Sequence, residues 1–431
     1  MKAPPIPKTF WQYVKSMGPG IIVALAWLGT GDLVDSAIAG GSYGYSLMWV
    51  IVIALFIRFI FVSIVAKYQL CNPYEESVLS GFKRLHSWLP YFIIIVALFF
   101  GHFYLSYMIK GVGETTIKLI GFGEAWAWSI FWIIIATIFI FKGSYKRIEI
   151  IFLFFLILLS ISLISVALWN GPDAKSAIKG IILFDIPEDK GPYGSFLIIT
   201  ALIGTVGGSI ANLLYPYFIQ QKGWKGPQYR KVQLYDLAFG TLILVLINLS
   251  VWTIGAEVLY PRGIHIENLD DLANILTITL GNLGGPIFYL GVFAALYTSI
   301  IGLTVGFGYL VFDATKVIAS KKPIKAEQFN TSNSKIYKMV IFWCLYSPLI
   351  YVLPDMPNFI FLTILASAAT VIVLPVLCGS LWYITSSKNF IGEQYKNKLF
   401  ENIILLVLFI LSLWSSYQAI FAIKNIIFPP L

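Results

Sequence analysis

Charge is scarce in this sequence of 431 residues: Asp, Glu, Lys and Arg together supply 12% of it, about half the share of an ordinary soluble domain. Cysteine and histidine are scarcer still, with three of each. Cys71, Cys344 and Cys378 are odd in number and widely spaced, which excludes a disulfide framework and the paired spacing of a zinc site. No H-E-x-x-H surrounds the histidines, and the chain contains no P-loop and no G-x-S-x-G. Nothing assembles a nucleophile, a base and an oxyanion site, so the expectation is a protein that is not an enzyme and needs no cofactor. The N-terminal "MKAPPIPKTFWQYVK" lacks the basic-then-apolar order of a cleaved signal peptide.

Apolar residues fill the space instead, at 58% of the chain. One soluble core cannot hide that much, so most of the surface must face a lipid bilayer. A spanning helix needs about 20 mainly apolar residues. Eleven such stretches occur: 18–39, 46–66, 89–120, 126–141, 147–169, 194–219, 234–256, 286–312, 336–353, 359–385 and 401–423. The third is too long for one perpendicular crossing, which predicts a tilted helix or one that runs beyond the bilayer. An odd number puts the termini on opposite faces. With the N-terminus inside, cytoplasmic segments such as "KRLHSW", "QKGWKGPQYRK" and "KVIASKKPIK" contribute to 22 of the 30 basic residues; external segments hold six, and Arg58 and Lys110 fall inside spans. That bias is a topology signal, so the net charge of +9 calls for no nucleic-acid partner. The expected location is the plasma membrane, multi-pass, N-terminus cytoplasmic and C-terminus external. Asn170–Tyr193 would lie outside and Lys316–Ser334 inside.

Two spans are interrupted. The first reads "GPGIIVALAWLGTGDLVDSAIAGG", with Gly29-Thr30-Gly31 halfway along and Asp32 beside them. The sixth reads "GSFLIITALIGTVGGSIANLLYPYF", with Gly207-Gly208 near its middle. Irregular backbone at membrane depth is tolerated only where it lines a cavity or meets protein. Paired interruptions in corresponding positions of two halves point to a secondary transporter built from inverted repeats. Spans 1–5 and 6–10 would be the repeats and the eleventh an addition. The corresponding domains are a cytoplasmic tail (1–17), a first repeat (18–170), an external loop (171–193), a second repeat (194–385) and the eleventh helix with the C-terminus (386–431). Asp32 has two readings: a cap on the second half of the broken helix, or part of a permeation site, since buried membrane carboxylates are functional by default. Asp35, one turn later, is as suited to the external interface as to the site.

From Gly18-Pro19-Gly20 to "YGYSLMWV", in "YKRIEI" and "PDAKSAIKGI", through the sixth span to "NLLYPYFIQQ", and more loosely in "FAALYTSIIGLTVGFGYLVFD", the chain resembles the Nramp family of divalent-metal transporters. The resemblance implies an all-α membrane protein of LeuT-type fold: five plus five helices in inverted repeat, an eleventh helix, and helices 1 and 6 broken. It also implies where the family's motifs fall. The Asp-Pro-Gly-Asn of its first span corresponds to Gly29-Thr30-Gly31-Asp32, and the Met-Pro-His-Asn of its sixth to Ser209, Ile210, Ala211 and Asn212. Its third-span Asp and Glu fall at Tyr107 and Lys110, and its ligating carbonyls at Ala26 and Val206. The family's metal-binding Asp and Met are thus absent. What remains is oxygen chemistry suited to hard cations. The expected substrate site is Ala26, Gly29, Thr30, Asp32, Val206, Ser209 and Asn212, with Asp32 and Asn212 as the metal ligands. Tyr107, Lys110, Glu114 and Arg58 are coupling or pathway candidates. Lys110 either pairs with Glu114 four residues on or points into the pathway, and Arg58 needs a carboxylate on a neighbouring span. The expected function is alternating-access transport of a divalent or other hard metal cation. The alternatives are a small anion such as bicarbonate, a neutral solute, or a sensor that transports nothing.

Overall fold

The structure, a computed structural model, describes residues 4–142, 146–189, 192–207, 209–325, 331 and 333–427. Among them, nine helices are long and apolar enough to cross a membrane: Met48–Cys71, Leu89–Ile120, Ala125–Lys142, Ser195–Lys222, Pro227–Arg262, Leu269–Ala319, Lys335–Val352, Phe359–Ser386 and Leu399–Lys424. These match the second to fourth and sixth to eleventh expected spans. The fifth corresponds to the helix Lys146–Asn170, whose final part, Leu156–Asn170, turns by 108° into Ala174–Ile182. The first span, Pro19–Tyr43, is two helices, Pro19–Trp27 and Leu33–Tyr43, joined by a π-helical turn over Leu28–Asp32.

The seventh span holds the first in place. Gly18-Pro19 begins the first helix, whose leading N–H groups have no intrahelical acceptor. Asp236 of the seventh span supplies one: its carboxylate accepts from the Gly18 N–H at 2.8 Å and the Gly20 N–H at 2.5 Å. The Tyr215 hydroxyl, at the start of the second half of the sixth span, donates to the same carboxylate at 3.0 Å. Three spans are therefore tied at one buried acid at the start of the first span. Glycines let the two backbones approach. A Cβ on Gly40 would lie 2.5 Å from the Trp252 carbonyl oxygen, and one on Gly255 would lie 2.9 Å from the Gly41 nitrogen. Close helix crossings of this kind are what small residues permit in membranes.

The break in the first span differs from the expected unwinding. The chain widens by one π turn and passes through Gly31 at φ +110°, a backbone that L side chains rarely adopt. It then resumes as helix. In the sixth span, the helix Ser195–Leu202 passes into a π turn over Ile203–Gly207. Gly208 lies outside the described residues. Ser209 is extended (φ −68°, ψ 154°) and starts a 3-10 turn, Ile210–Leu214, before Tyr215–Lys222. This break is the more complete of the two.

Candidate substrate site at the helix breaks

Asp32 ends the π turn of the first span, and both of its carboxylate oxygens are taken by Arg58 from the second span. Nη1 donates to Oδ2 at 2.7 Å and Nη2 to Oδ1 at 3.2 Å. Neither side chain has any exposure. Nη2 also donates to the carbonyl of Thr205, inside the π turn of the sixth span. The guanidinium carbon sits 4.8 Å from the centroid of the Trp27 ring, so an aromatic face covers the cation. Asn248 of the seventh span brings its Nδ2 to 3.5 Å from Asp32 Oδ2, and Ser36 orients that amide by donating to its Oδ1 at 2.8 Å. Arg58 thus finds the neighbouring carboxylate it required, and binds the first span to the sixth where both are interrupted.

The capping reading of Asp32 is corrected here. Its side chain makes no cap hydrogen bond to the helix that follows; both of its oxygens accept from Arg58 instead. Asp35 is not at the external interface. It is 1% exposed, and the Thr205 hydroxyl donates to its Oδ2 at 2.9 Å. A Cβ on Gly31 would lie 3.1 Å from that same oxygen and 2.6 Å from Ser367 Oγ on the tenth span. The breaks therefore gather two acids, one arginine and a threonine.

The other expected residues separate. Ser209 is fully buried and caps the 3-10 turn, accepting from the Ala211 N–H at 3.0 Å. Asn212 is also fully buried, and neither Nδ2 nor Oδ1 has a hydrogen-bond partner among the described residues. Buried amides are nearly always paired, which makes Asn212 an exception among the described residues. Gly29, like Ala26, Thr30 and Val206, lies in the described backbone, but their side-chain positions lie outside the described set. Tyr107 is 1% exposed and lines a small, almost wholly apolar cavity with Leu28, Gly31, Val34, Val292 and Phe359.

Lys110 turns to the backbone at the end of the ninth span. Its Nζ donates to the carbonyls of Tyr351 and Met356, each at 3.2 Å, where the 3-10 helix Ser347–Val352 ends the ninth span. It satisfies carbonyls at a helix C-terminus, as cations do. It forms no ion pair with Glu114, which is half-buried one turn away. His102 is a hydrogen-bonded histidine, with Nδ1 at 2.8 Å from Ser347 Oγ. Sequence reasoning missed Trp27, Thr205 and Asn248 altogether. Only Asn248, an amide in the apolar run "LVLINLSVW", carried a visible signal.

Two interrupted helices meeting at a buried polar centre, within an all-helical membrane body, define the LeuT-type transporter fold. Within that class the family follows from comparison. The model described as natural resistance-associated macrophage protein-like, Nramp, matches residues 20–422. The chain belongs to the Nramp family. It is similar to the uncharacterized membrane protein YcsG of Bacillus subtilis, 25% identical over 397 residues, covering 89% of this chain and 88% of that one. It is similar to the divalent metal cation transporter MntH of Bacillus subtilis, 23% identical over 271 residues, 59% of this chain and 60% of the relative. Among solved structures it superposes on the Eremococcus coleocola manganese transporter with a TM-score of 0.80 at 14% identity, over 100% of this chain and 91% of the other.

Proposed function

We propose that this protein is a secondary transporter that works by alternating access about its two helix breaks, and that its cargo is a small polar solute without net positive charge. The observation that carries the reading is the Arg58 guanidinium on Asp32. A divalent ion 4 Å from a fixed unit cation meets about 8 kcal/mol of repulsion at an effective dielectric of 20. One carboxylate at the same distance returns about the same amount, so the pair offers a divalent metal no net attraction. Thioether and imidazole ligands are missing from the corresponding positions, where Ser209 and Ala211 stand. The unpartnered amide of Asn212 presents one donor group and one acceptor, which suits a neutral or zwitterionic solute better than a bare ion.

A hard metal cation is the second reading, and the relatives favour it: one is a divalent metal cation transporter and another a manganese transporter. On that reading Arg58 has to leave Asp32 before the ion arrives. Uptake into proteoliposomes separates the two. The first reading expects no saturable Mn²⁺ or Mg²⁺ flux in the wild type. It also expects that a thermal-stability screen of amino acids, small carboxylates and neutral polar solutes finds a stabilising ligand whose effect is lost in Asn212→Ala. Saturable Mn²⁺ or Mg²⁺ uptake that disappears in Asp32→Ala would establish the metal reading instead.

A further inference from the structure

A carboxylate buried at a helix break in the membrane needs a counter-charge, because leaving it unpaired costs several kcal/mol. In a carrier driven by an ion gradient, that charge is borrowed from solution, and its binding couples the ion to the cargo. The position is recognisable by its oxygens: a carboxylate on one interrupted helix and a main-chain carbonyl on the other. Here that set exists, as Asp32 Oδ1 and Oδ2 on the first span and the Thr205 carbonyl on the sixth. All three accept hydrogen bonds from one guanidinium, whose other support is the Trp27 face.

We propose that Arg58 is a tethered substitute for a coupling cation. Its guanidinium fills the oxygen-lined position between Asp32 and Thr205 with a charge that never dissociates, so the carrier binds no free monovalent cation there. Arginine keeps its proton in proteins, and its planar fork fits a carboxylate with two parallel hydrogen bonds. The tether comes from the second span, so the charge reaches both broken helices from an element that belongs to neither. Asn248 of the seventh span reaches the carboxylate with its Nδ2, and Ser36 of the first span holds that amide by donating to its Oδ1. No monovalent cation gradient then couples to the cargo through this position. This inference rests on the cargo reading above, since a metal ion at Asp32 would displace the tether.

The test uses the purified full-length protein with Na⁺ and methylguanidinium as probes. The wild type is expected to bind no radioactive Na⁺ saturably, and its melting temperature is expected to be unchanged when Na⁺ replaces N-methylglucamine. Arg58→Ala opens the position: it should bind about one Na⁺ or methylguanidinium per molecule, and saturating methylguanidinium should raise its melting temperature by several degrees. The double variant Asp32→Ala/Arg58→Ala should bind neither probe. If Arg58→Ala does not fold, Arg58→Gln takes its place, and the wild-type measurement stands without either. Saturable Na⁺ binding by the wild type that is lost in Asp32→Ala overturns the tether, as does a folded Arg58→Ala that binds neither probe. Wild-type Na⁺ binding that depends on Asp32, without Mn²⁺ uptake, removes the tether and leaves the cargo reading intact. Mn²⁺ uptake that depends on Asp32 removes both.

Discussion

Asp32 shows how far a single residue can be read from sequence. Its position beside Gly29 and Gly31 in an apolar run marks it as buried, but not as the partner of a side chain 26 residues away. That pairing exists only after the second span folds against the first, so no local pattern announces it. The pair makes a stability prediction. Asp32→Ala strands the Arg58 cation with no acid facing it, and breaking a buried ion pair in this way costs about 3–5 kcal/mol. Replacing both partners with apolar residues of similar volume, as in Asp32→Leu/Arg58→Met, should recover much of that loss. Melting curves of the single and double variants check it; a double variant less stable than Asp32→Ala would show that the cost lies elsewhere. Gly31 gives a second case. An alanine there is strained by about 1–2 kcal/mol at positive φ, and its Cβ would press on Ser367 Oγ at 2.6 Å. Gly31→Ala should lower the melting temperature and block ligand-induced stabilisation, whereas Gly263→Ala, also at positive φ but with open space around it, should show only the backbone penalty.

At the scale of helices the sequence was largely legible, because a run of apolar residues about 20 long has few other uses. Edges moved where polar residues continue a helix beyond the bilayer: the seventh, expected over 234–256, runs from Pro227 to Arg262. The breaks were legible as places and not as shapes. Glycine pairs mark both, yet one became a π turn and the other an extended residue followed by a 3-10 turn. What decides is the neighbour: Thr205 and the tenth span close on the first break, and sequence does not say which spans touch. The contact between the first and seventh spans makes the third prediction. Gly240 faces the Gly20 carbonyl with the Ala24 methyl beside it, so Gly240→Leu should push the helices apart and lower stability by more than Leu242→Ala on the exposed side of the same helix. Asp236→Ala should have a related effect, since it frees the N–H groups of Gly18 and Gly20; loss of an N-cap acceptor costs about 1 kcal/mol.

The whole molecule inherits its orientation from the distribution of Lys and Arg, which sequence records directly. Some of those cations also work as fasteners on the side expected to be cytoplasmic. Lys83 donates to the carbonyls of Val317, Ile318 and Ser320 at 2.8, 3.3 and 2.7 Å, closing the C-terminus of the eighth span. Arg84 pairs with Glu76 at 2.9 Å; burial raises the Glu76 carboxyl above its ordinary value while Arg84 and the Tyr68 hydroxyl oppose the shift. The topology prediction is that single cysteines at Lys322 and Ser176 react with an impermeant maleimide from opposite sides of intact cells, Ser176 from outside. Reaction of both from one side would reverse the assignment of a loop and remove a crossing between them.

The Arg58–Asp32 pair also bears on how such a carrier meets an electric field. Moving one elementary charge through a membrane potential costs or returns about 2.3 kcal/mol for each 100 mV. Two opposite charges fixed 2.7 Å apart sum to nothing, so an alternating-access cycle that carried them together would do no electrical work on them. A carrier that instead took up and released a free ion at Asp32 would be hastened in one direction by the resting potential and slowed in the other. With the pair closed, this central position is indifferent to voltage, and rearrangement of the empty protein should leave no capacitive current from it.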